Sequence, residues 1–277
     1  MPIIMTNLNH AGCREVTLAD IRPLLETADD WTKGLFANAA ATLLGFPKTG
    51  PIQFAAAVWQ NTYHHHALYF NVIGQSSWLP LLLTKLKKMT DEQDRLQFST
   101  YTAASPLTQQ LQRAGFELIR HTAMSHYRKF AAVTSNDTVV ARSQLSEAQW
   151  QAVVRLSYQN YVDAHTANPA TMTQTQFEQS LREADPNQPS FLVEGGTILA
   201  YVFWFEDEPG ELTSAWLGGT GLADTLRLMR AVLPQLQAAF SVVNGEFDDT
   251  DSFAWAVYQQ LAVPDPHPLM TWQMKLD

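Results

Sequence analysis

The sequence predicts an α+β protein built from two halves, each a mixed, mostly antiparallel sheet flanked by helices. In the second half, two amphipathic helices precede three β-rich runs, which are followed by a helix, a strand, a helix and a last strand. The first half repeats this order. The segment 131–137 separates the two patterned halves, so we expect one domain over residues 1–133 and another over 138–277.

The composition narrows the class of protein. The chain has 277 residues, of which 46% are hydrophobic, so it can bury a large core. Its formal net charge of −9 argues against a nucleic-acid partner, because phosphate contacts need clustered Lys and Arg. The one basic cluster is Lys85, Lys87 and Lys88, at a predicted helix end.

The cysteine count and the lengths of the apolar runs indicate the cellular compartment of the protein. The single Cys13 excludes an intramolecular disulfide and a multi-cysteine metal site. The segment 1–14 lacks the basic and apolar regions of a secretory leader, and no apolar run reaches the roughly 20 residues of a membrane span. We therefore expect a cytoplasmic protein with no membrane partner.

Helix starts and turns define the second half. Capping boxes at 146–149 and 173–176 predict the starts of two helices. Gly195-Gly196 predicts a two-residue hairpin turn between β-rich runs, and 211–217 is the next predicted strand.

The first half has matching signals. It contains predicted strands, a predicted helix at 78–88, and a second helix that starts at Ser105-Pro106. At an offset of about 144 residues, Trp78 and Leu79 align with Leu222 and Ala223, so the halves look like tandem copies. The predicted strands are 51–59, 67–73, 96–101 and 116–130.

A glycine-rich stretch connects the third strand of the second half to the helix after it. Glycine permits unusual backbone dihedrals and close approach, and the N–H groups of a first helical turn favour a pyrophosphate. We therefore expect an anion cradle here. Its predicted residues are Trp216, Leu217, Gly218, Gly219, Thr220, Gly221, Leu222 and Ala223. The helix behind it has an apolar face of Leu222, Leu226, Met229, Leu233, Leu236 and Phe240.

Two other glycine-loop classes do not fit this stretch. A Walker loop needs Lys and Ser or Thr after its last Gly, where Leu222 and Ala223 stand here. A dinucleotide fingerprint needs a further small residue and an acidic residue after the next strand.

The stretch resembles the acetyl-CoA loop of the GNAT acyltransferase superfamily, whose pattern is Arg or Gln, two residues, Gly, one residue, then Gly or Ala. Gly221-Leu222-Ala223 matches its second half, and Gly218 stands in place of the leading Arg. The late helix is similar too, with Asp251 and Tyr258 in the family's register. Asp251 is also a sound helix N-cap.

The resemblance implies a function. An acetyl group would pass from acetyl-CoA to a primary amine of a small molecule or peptide by direct attack, with Asp251 among the CoA-binding residues. Backbone N–H groups near Trp216 and Leu217 would polarise the acetyl carbonyl, and Tyr258 would protonate the departing thiolate. As general base we choose Glu211, with Glu194 in reserve.

Two alternatives remain open. The first half has lost the glycine pair, and Leu111 stands where Tyr258 does, so we read that half as a support domain. If the second half is also a relic, the protein is an inactive ligand-binding or interaction protein. The remaining alternative is acyl transfer from a donor other than acetyl-CoA.

No metal is predicted. Neighbouring strand residues point to opposite faces, so at most two of His64, His65 and His66 could converge on one ion. We interpret them as solvated residues of a hairpin turn.

Overall fold

A computed structural model describes residues 12–90, 92–102, 105–131 and 137–276. Contacts between Cα atoms divide the chain into two compact units: Met1–Ile119 with Met270–Asp277, and Arg120–Leu269. Most of the predicted 131–137 linker and of the 1–14 segment lies outside the described residues. Within the described part of the chain, no helix is long and apolar enough to cross a membrane.

The first unit is a mixed sheet with helices on both faces. Its strands pair in the order β1, β2, β3, β4, β5, β12, and every pair is antiparallel except β4–β5. The strands are β1 (Arg14–Glu15), β2 (Thr42–Phe46), β3 (Phe54–Asn61), β4 (His64–Gly74), β5 (Arg95–Thr100) and β12 (Leu269–Lys275). The helices are α1 (Arg22–Leu25), α2 (Asp30–Ala37), α3 (Leu79–Leu86) and α4 (Pro106–Arg113).

Each face of this sheet buries its own core. One core packs side chains of α3, such as Leu82, against Phe70 and Phe98 of the sheet. The other packs Ile21 and Phe36, from the α1–α2 side, against small strand residues. The alternation of strand side chains explains why one sheet feeds both cores.

The second unit repeats the plan. Its strands pair in the order β6, β11, β10, β9, β8, β7, and only β10–β11 is parallel. The strands are β6 (Glu117–His126), β7 (Val139–Ala141), β8 (Pro189–Glu194), β9 (Thr197–Glu208), β10 (Glu211–Gly219) and β11 (Val242–Asp248). The helices are α5 (Glu147–Ala164), α6 (Gln174–Leu181), α7 (Leu222–Ala239) and α8 (Ser252–Leu261). The predicted fold class is confirmed.

The local signals of this unit are confirmed as well. Ser146 and Thr173 close the predicted capping boxes of α5 and α6. Gly195 and Gly196 both have positive φ, as a tight hairpin turn requires. The predicted apolar face of α7 is buried in its middle turns, but Leu222 is 42% exposed because it lies at the helix start, beyond the sheet.

The units differ from the predicted halves by two strands. β6 is the last strand of the predicted first half, yet from Arg120 on it belongs to the second unit, where Thr122–His126 pair with β11. β12 is the last strand of the predicted second half, yet it pairs with β5 in the first unit. Each unit is therefore completed by a strand from the other half. Such pairings join residues far apart in sequence, and a boundary drawn from composition does not detect them.

This exchange generates a stability prediction. Trp272 of β12 is 4% exposed and belongs to the core of the first unit. Trp272→Ala should cost about 3–5 kcal/mol, through lost burial and the cavity left behind. Hydrogen exchange measured by mass spectrometry should then speed up in β5 and α3, while β9 and β10 keep the parental rate. Faster exchange confined to β9 and β10 would contradict the assignment of β12.

Candidate active site

The two parallel strands of the second unit separate. β10 and β11 pair over four residues each, from Glu211 with Val242 to Ser214 with Gly245. Beyond Gly245, β11 continues along β6. The ladder of β10 with β9 is interrupted by a bulge between Ser214 and Leu217, so the backbone at 215–216 lies outside both ladders. We call 215–219 of β10 with 246–248 of β11 the open end.

Two predicted cradle residues lie on opposite sides of β10 at this open end. The Trp216 ring contacts Phe177 of α6 and Phe205, with ring centroids 5.5 and 5.6 Å apart. Leu217 is buried in the core beneath α7 and α8. The open end therefore reaches both faces of the sheet.

Gly218 and Gly219 are required by packing. A Cβ on Gly218 would lie 2.7 Å from the Tyr201 hydroxyl and 2.8 Å from the Asn160 amide nitrogen. A Cβ on Gly219 would lie 2.5 Å from the Leu199 carbonyl oxygen. The prediction of unusual backbone dihedrals is wrong here, because φ is not positive at Gly218, Gly219 or Gly221. The glycines allow close approach of neighbouring groups instead.

The first turn of α7 is uncapped by side chains. Gly221 is the N-cap residue, with extended backbone and no capping hydrogen bond from a side chain. The nearest atom to a Cβ there would be an Asp224 oxygen at 3.8 Å, so the space is open. Thr220, Leu222 and Ala223 are exposed around it. Their position suits an anion, because orphan N–H groups and the helix dipole face outward.

Charged side chains beside this turn nearly cancel. Asp224 lies in the first turn of α7, where its carboxylate would repel a phosphate. Arg227 lies 3.4 Å from Asp224 and 2.7 Å from Asp137, and the hydrogen bond with Asp137 raises the pKa of the guanidinium. An anion would therefore be held mainly by backbone groups.

Sequence reasoning missed two residues of this site. Asn160 of α5 donates its amide N–H groups to the Tyr201 hydroxyl at 3.1 Å and the Gly219 carbonyl at 3.4 Å. Burial raises the pKa of the Tyr201 phenol, so this group stays neutral. The available signal was Asn160 itself, a polar residue three positions after buried Ser157 on the face of α5 that meets the sheet.

Asp251 caps α8 and has an unusual carboxyl group. Its Oδ1 accepts the N–H groups of Phe253 at 2.8 Å and Ala254 at 3.1 Å. Burial raises the pKa of Asp251 to about 6, against the lowering effect of those two hydrogen bonds. Its Oδ2 has no hydrogen-bond partner among the described residues. Near neutral pH this oxygen can accept a proton.

Tyr258 lies beside the open end of β11. Its ring packs on Phe247, at a centroid distance of 5.4 Å, and on Trp255 at 4.8 Å. Its hydroxyl oxygen accepts the Asp265 N–H at 2.7 Å. This bond uses a lone pair and leaves the phenolic proton available for donation.

The predicted base Glu211 is not brought to the open end. It pairs with Val242 where the β10–β11 ladder starts, about 23 Å from Gly218 at 3.3 Å per residue. Glu194 is exposed at the end of β8, 4.0 Å from Arg227. Glu211 is therefore too far along the strand to act as a base at Gly218, and the Glu194 carboxylate lies beside the Arg227 guanidinium instead.

Two acidic residues at the end of β11 tie the strand to β6. Asp248 pairs with Arg120 at 3.0 Å and also accepts the Thr122 hydroxyl. Asp249 accepts the His121 backbone N–H and contacts its ring nitrogen, both at 2.9 Å. They fix β11 where it leaves β10.

The corresponding place in the first unit is closed. β4 and β5 are parallel from Ala67 to Phe70, and the next residue, Asn71, donates its side-chain N–H to the Ser99 carbonyl at 2.9 Å. In the second unit Ala215 has the equivalent position and no side chain to bridge the strands. The β3–β4 ladder also passes Asn71 without a bulge.

The three histidines lie elsewhere than expected. His64, His65 and His66 begin strand β4, and His64 is buried rather than solvated in a turn. Among the residues that the structure describes, no group of three or more His, Cys, Asp or Glu side chains is arranged to hold a metal ion.

Solved structures share this architecture. A GCN5-related N-acetyltransferase from Sphaerobacter thermophilus matches at a TM-score of 0.61 and 14% identity, over 95% of each chain. A GNAT-family acetyltransferase from Colwellia psychrerythraea matches at 0.50 and 12% identity, over 95% of this chain and 100% of that one. The chain has the GNAT fold. No protein-family model and no curated protein sequence matches it.

The buried Asp251 carboxyl gives a pH prediction. Because its pKa is raised in the folded state, its contribution to stability is full below about pH 4 and is lost as the pH rises through about 6. Asp251→Asn keeps the Oδ1 acceptor and cannot ionise. The variant should match the parent at pH 4 and exceed its stability at pH 7.5 by at most about 3 kcal/mol.

The measurement is hydrogen exchange of α8, comparing parent and variant at each pH. Asp163→Asn on the exposed side of α5 is the control and should follow the parent at both. Equal protection of parent and Asp251→Asn at pH 7.5 would show that this carboxylate ionises without cost.

Proposed function

We propose that the second unit binds acetyl-CoA and transfers its acetyl group to a primary amine of a small molecule or peptide. The observation that carries the proposal is the open end of β10–β11, which lies next to an uncapped helix start. A slot between diverging strands suits a thin, partly polar chain, and a helix N-terminus suits the pyrophosphate at its end. The fold supports acyl transfer in general, and the acceptor class is our own inference.

The residues of the open end fit such a ligand. N–H groups of the first turn of α7, at Leu222 and Ala223, would hold the pyrophosphate. The backbone at Ala215 and Trp216, outside both ladders, would bind the pantetheine amides and the thioester carbonyl. Leu217 and the other apolar side chains beneath α7 and α8 would cover the chain of the ligand.

The chemistry is direct transfer. Bound acetyl-CoA would supply the acetyl group as a thioester. Backbone N–H groups at 215–216 would stabilise negative charge on the carbonyl oxygen while the amine nitrogen forms the new C–N bond. Asp251 would accept the proton that the amine loses, in place of Glu211. Tyr258 would donate a proton to the sulfur as the C–S bond breaks.

Two observations favour a second candidate, an inactive ligand-binding protein. Gly218 leaves the position of the usual Arg without a cation, and Asp224 opposes a phosphate at the helix start. Binding of acetyl-CoA separates the two candidates. Acyl transfer from another donor is tested by the same titration with longer acyl-CoA ligands.

The binding test is isothermal titration of acetyl-CoA. The parent should bind at one site. Gly221→Val should not bind acetyl-CoA, because the valine side chain would occupy the space in front of the helix start where the pyrophosphate would lie. That space is open in the fold, so the substitution should cause no steric conflict within the protein. Ala215→Asn should not bind either, since its amide can reach the Glu246 carbonyl as Asn71 reaches Ser99 in the first unit.

Asn71→Ala is the matched control. It opens the corresponding place in the first unit and should leave acetyl-CoA affinity unchanged. If the parent does not bind, the acetyltransferase proposal fails and the inactive candidate takes its place. If Ala215→Asn binds like the parent, the ligand does not use the open end.

Tyr258→Phe tests the proton donor. The variant should keep acetyl-CoA affinity and lose turnover by about 100-fold, because a positioned general acid contributes that much. The measurement is release of free CoA thiol with the best acceptor from a screen of primary amines. Tyr63→Phe in the first unit is the control. Equal turnover in parent and Tyr258→Phe would identify Tyr258 as a packing residue.

A further inference from the structure

A groove runs between α3 and α4 in the first unit. Its volume is about 450 Å³, within the range of pockets that hold small molecules. The buried side chains of Leu79, Leu83 and Met274 form an apolar floor. The remaining lining residues are Pro80, Thr84, Lys87, Gln110, Arg113 and Ala114.

The groove is positively charged in an acidic protein. Residues 79–88 contain Lys85, Lys87 and Lys88, residues 106–114 contain Arg113, and neither segment contains Asp or Glu. Lys87 and Arg113 line the groove themselves, and neither forms an ion pair with another described residue. Since the whole chain has a net charge of −9, this local excess of cations is selective for an anion.

The apolar floor and the cations lie in a fixed order. Leu79, Leu83 and Lys87 are four residues apart, so they follow one another along one side of α3. Eight residues of helix span about 12 Å. Arg113 reaches the groove from the C-terminal end of α4. A ligand along α3 would meet leucines first and a pair of cations at the far end.

We propose that this groove binds the carboxylate form of a medium-chain fatty acid. The alkyl chain lies along Leu79, Leu83 and Met274, and the carboxylate lies between Lys87 and Arg113. A guanidinium donates two N–H groups to a carboxylate in bidentate geometry, and an ammonium adds a second positive charge. The chain contributes affinity by burying methylene groups, and the charges select the anion.

The test uses decanoate and the methyl NMR signal of Met274, which lies on the floor of the groove. Decanoate should shift this signal saturably, and octanoate should bind roughly tenfold more weakly, because each methylene contributes about threefold to fourfold. Decanol and decyltrimethylammonium separate the roles of chain and charge. Decanol should bind more weakly than decanoate, and the cation should not bind.

Matched variants locate the site. Thr84→Trp fills the groove from an exposed position of α3 and should abolish binding. Leu81→Trp places the same side chain at an exposed position outside the groove and should leave binding intact. Lys87→Gln and Arg113→Gln should each lower the affinity for decanoate by about twofold to fivefold. Lys48→Gln, an exposed control in the same unit, should have no effect.

Three results would overturn the proposal. They are an unchanged Met274 signal at saturating decanoate, equal affinity for decanoate and decanol, and equal affinity of the Thr84→Trp and Leu81→Trp variants. The first would show that the groove is not a ligand site. The second would show that the cations do not select the ligand, and the third that decanoate binds elsewhere.

Discussion

The divergence of β10 from β11 is the constraint on which the proposed site depends. Two parallel strands that separate leave backbone N–H and C=O groups without ladder partners, and a buried unpaired group is costly. The bulge after Ser214 turns β10 away, while the contacts of Asp248 with Arg120 and Thr122 hold β11 against β6. The strands are thus held apart from both sides, and the backbone at 215–216 lies between them outside both ladders.

Comparison of the two units shows how small the difference between a closed and an open pair is. In both units the parallel ladder has four residue pairs, and the next residue decides the outcome. Asn71 donates a side-chain hydrogen bond across the strands to the Ser99 carbonyl, whereas the Ala215 side chain has no donor. In the first unit, one side-chain amide therefore supplies the hydrogen bond that a ligand would supply between separated strands. The first unit keeps the fold without needing a ligand there, which is consistent with a supporting role.

What could be predicted from the sequence follows from the range of each interaction. The caps at Ser146, Thr173 and Asp251 and the Gly195-Gly196 turn depend on residues within a few positions, and all four are present in the structure. The fold class followed from the order of such local elements. The exchange of β6 and β12 did not, because strand pairing over a hundred residues leaves no local pattern.

The site shows the same division. Short sequence motifs are enough to propose Gly218–Ala223 and Tyr258 as site residues, and the Asp251 cap that the sequence predicts is present. The amide of Asn160 and the phenol of Tyr201 reach the glycines only through tertiary packing. Glu211 was chosen because it precedes the glycines in sequence, but a strand places its two ends far apart, and only the register with β11 tells which end is open.

Gly218 illustrates how a departure from the resembled motif can be built into the packing. A side chain at this position would conflict with the Tyr201 hydroxyl and the Asn160 amide, so an Arg there and the observed arrangement exclude each other. Asn160 uses its N–H groups on Tyr201 and Gly219, which fixes the backbone of the cradle and adds no positive charge. A helix N-terminus contributes about 0.3–1 kcal/mol to an exposed anion. In the proposed complex, affinity for the CoA ligand would therefore come chiefly from its chain in the open end and less from its phosphates.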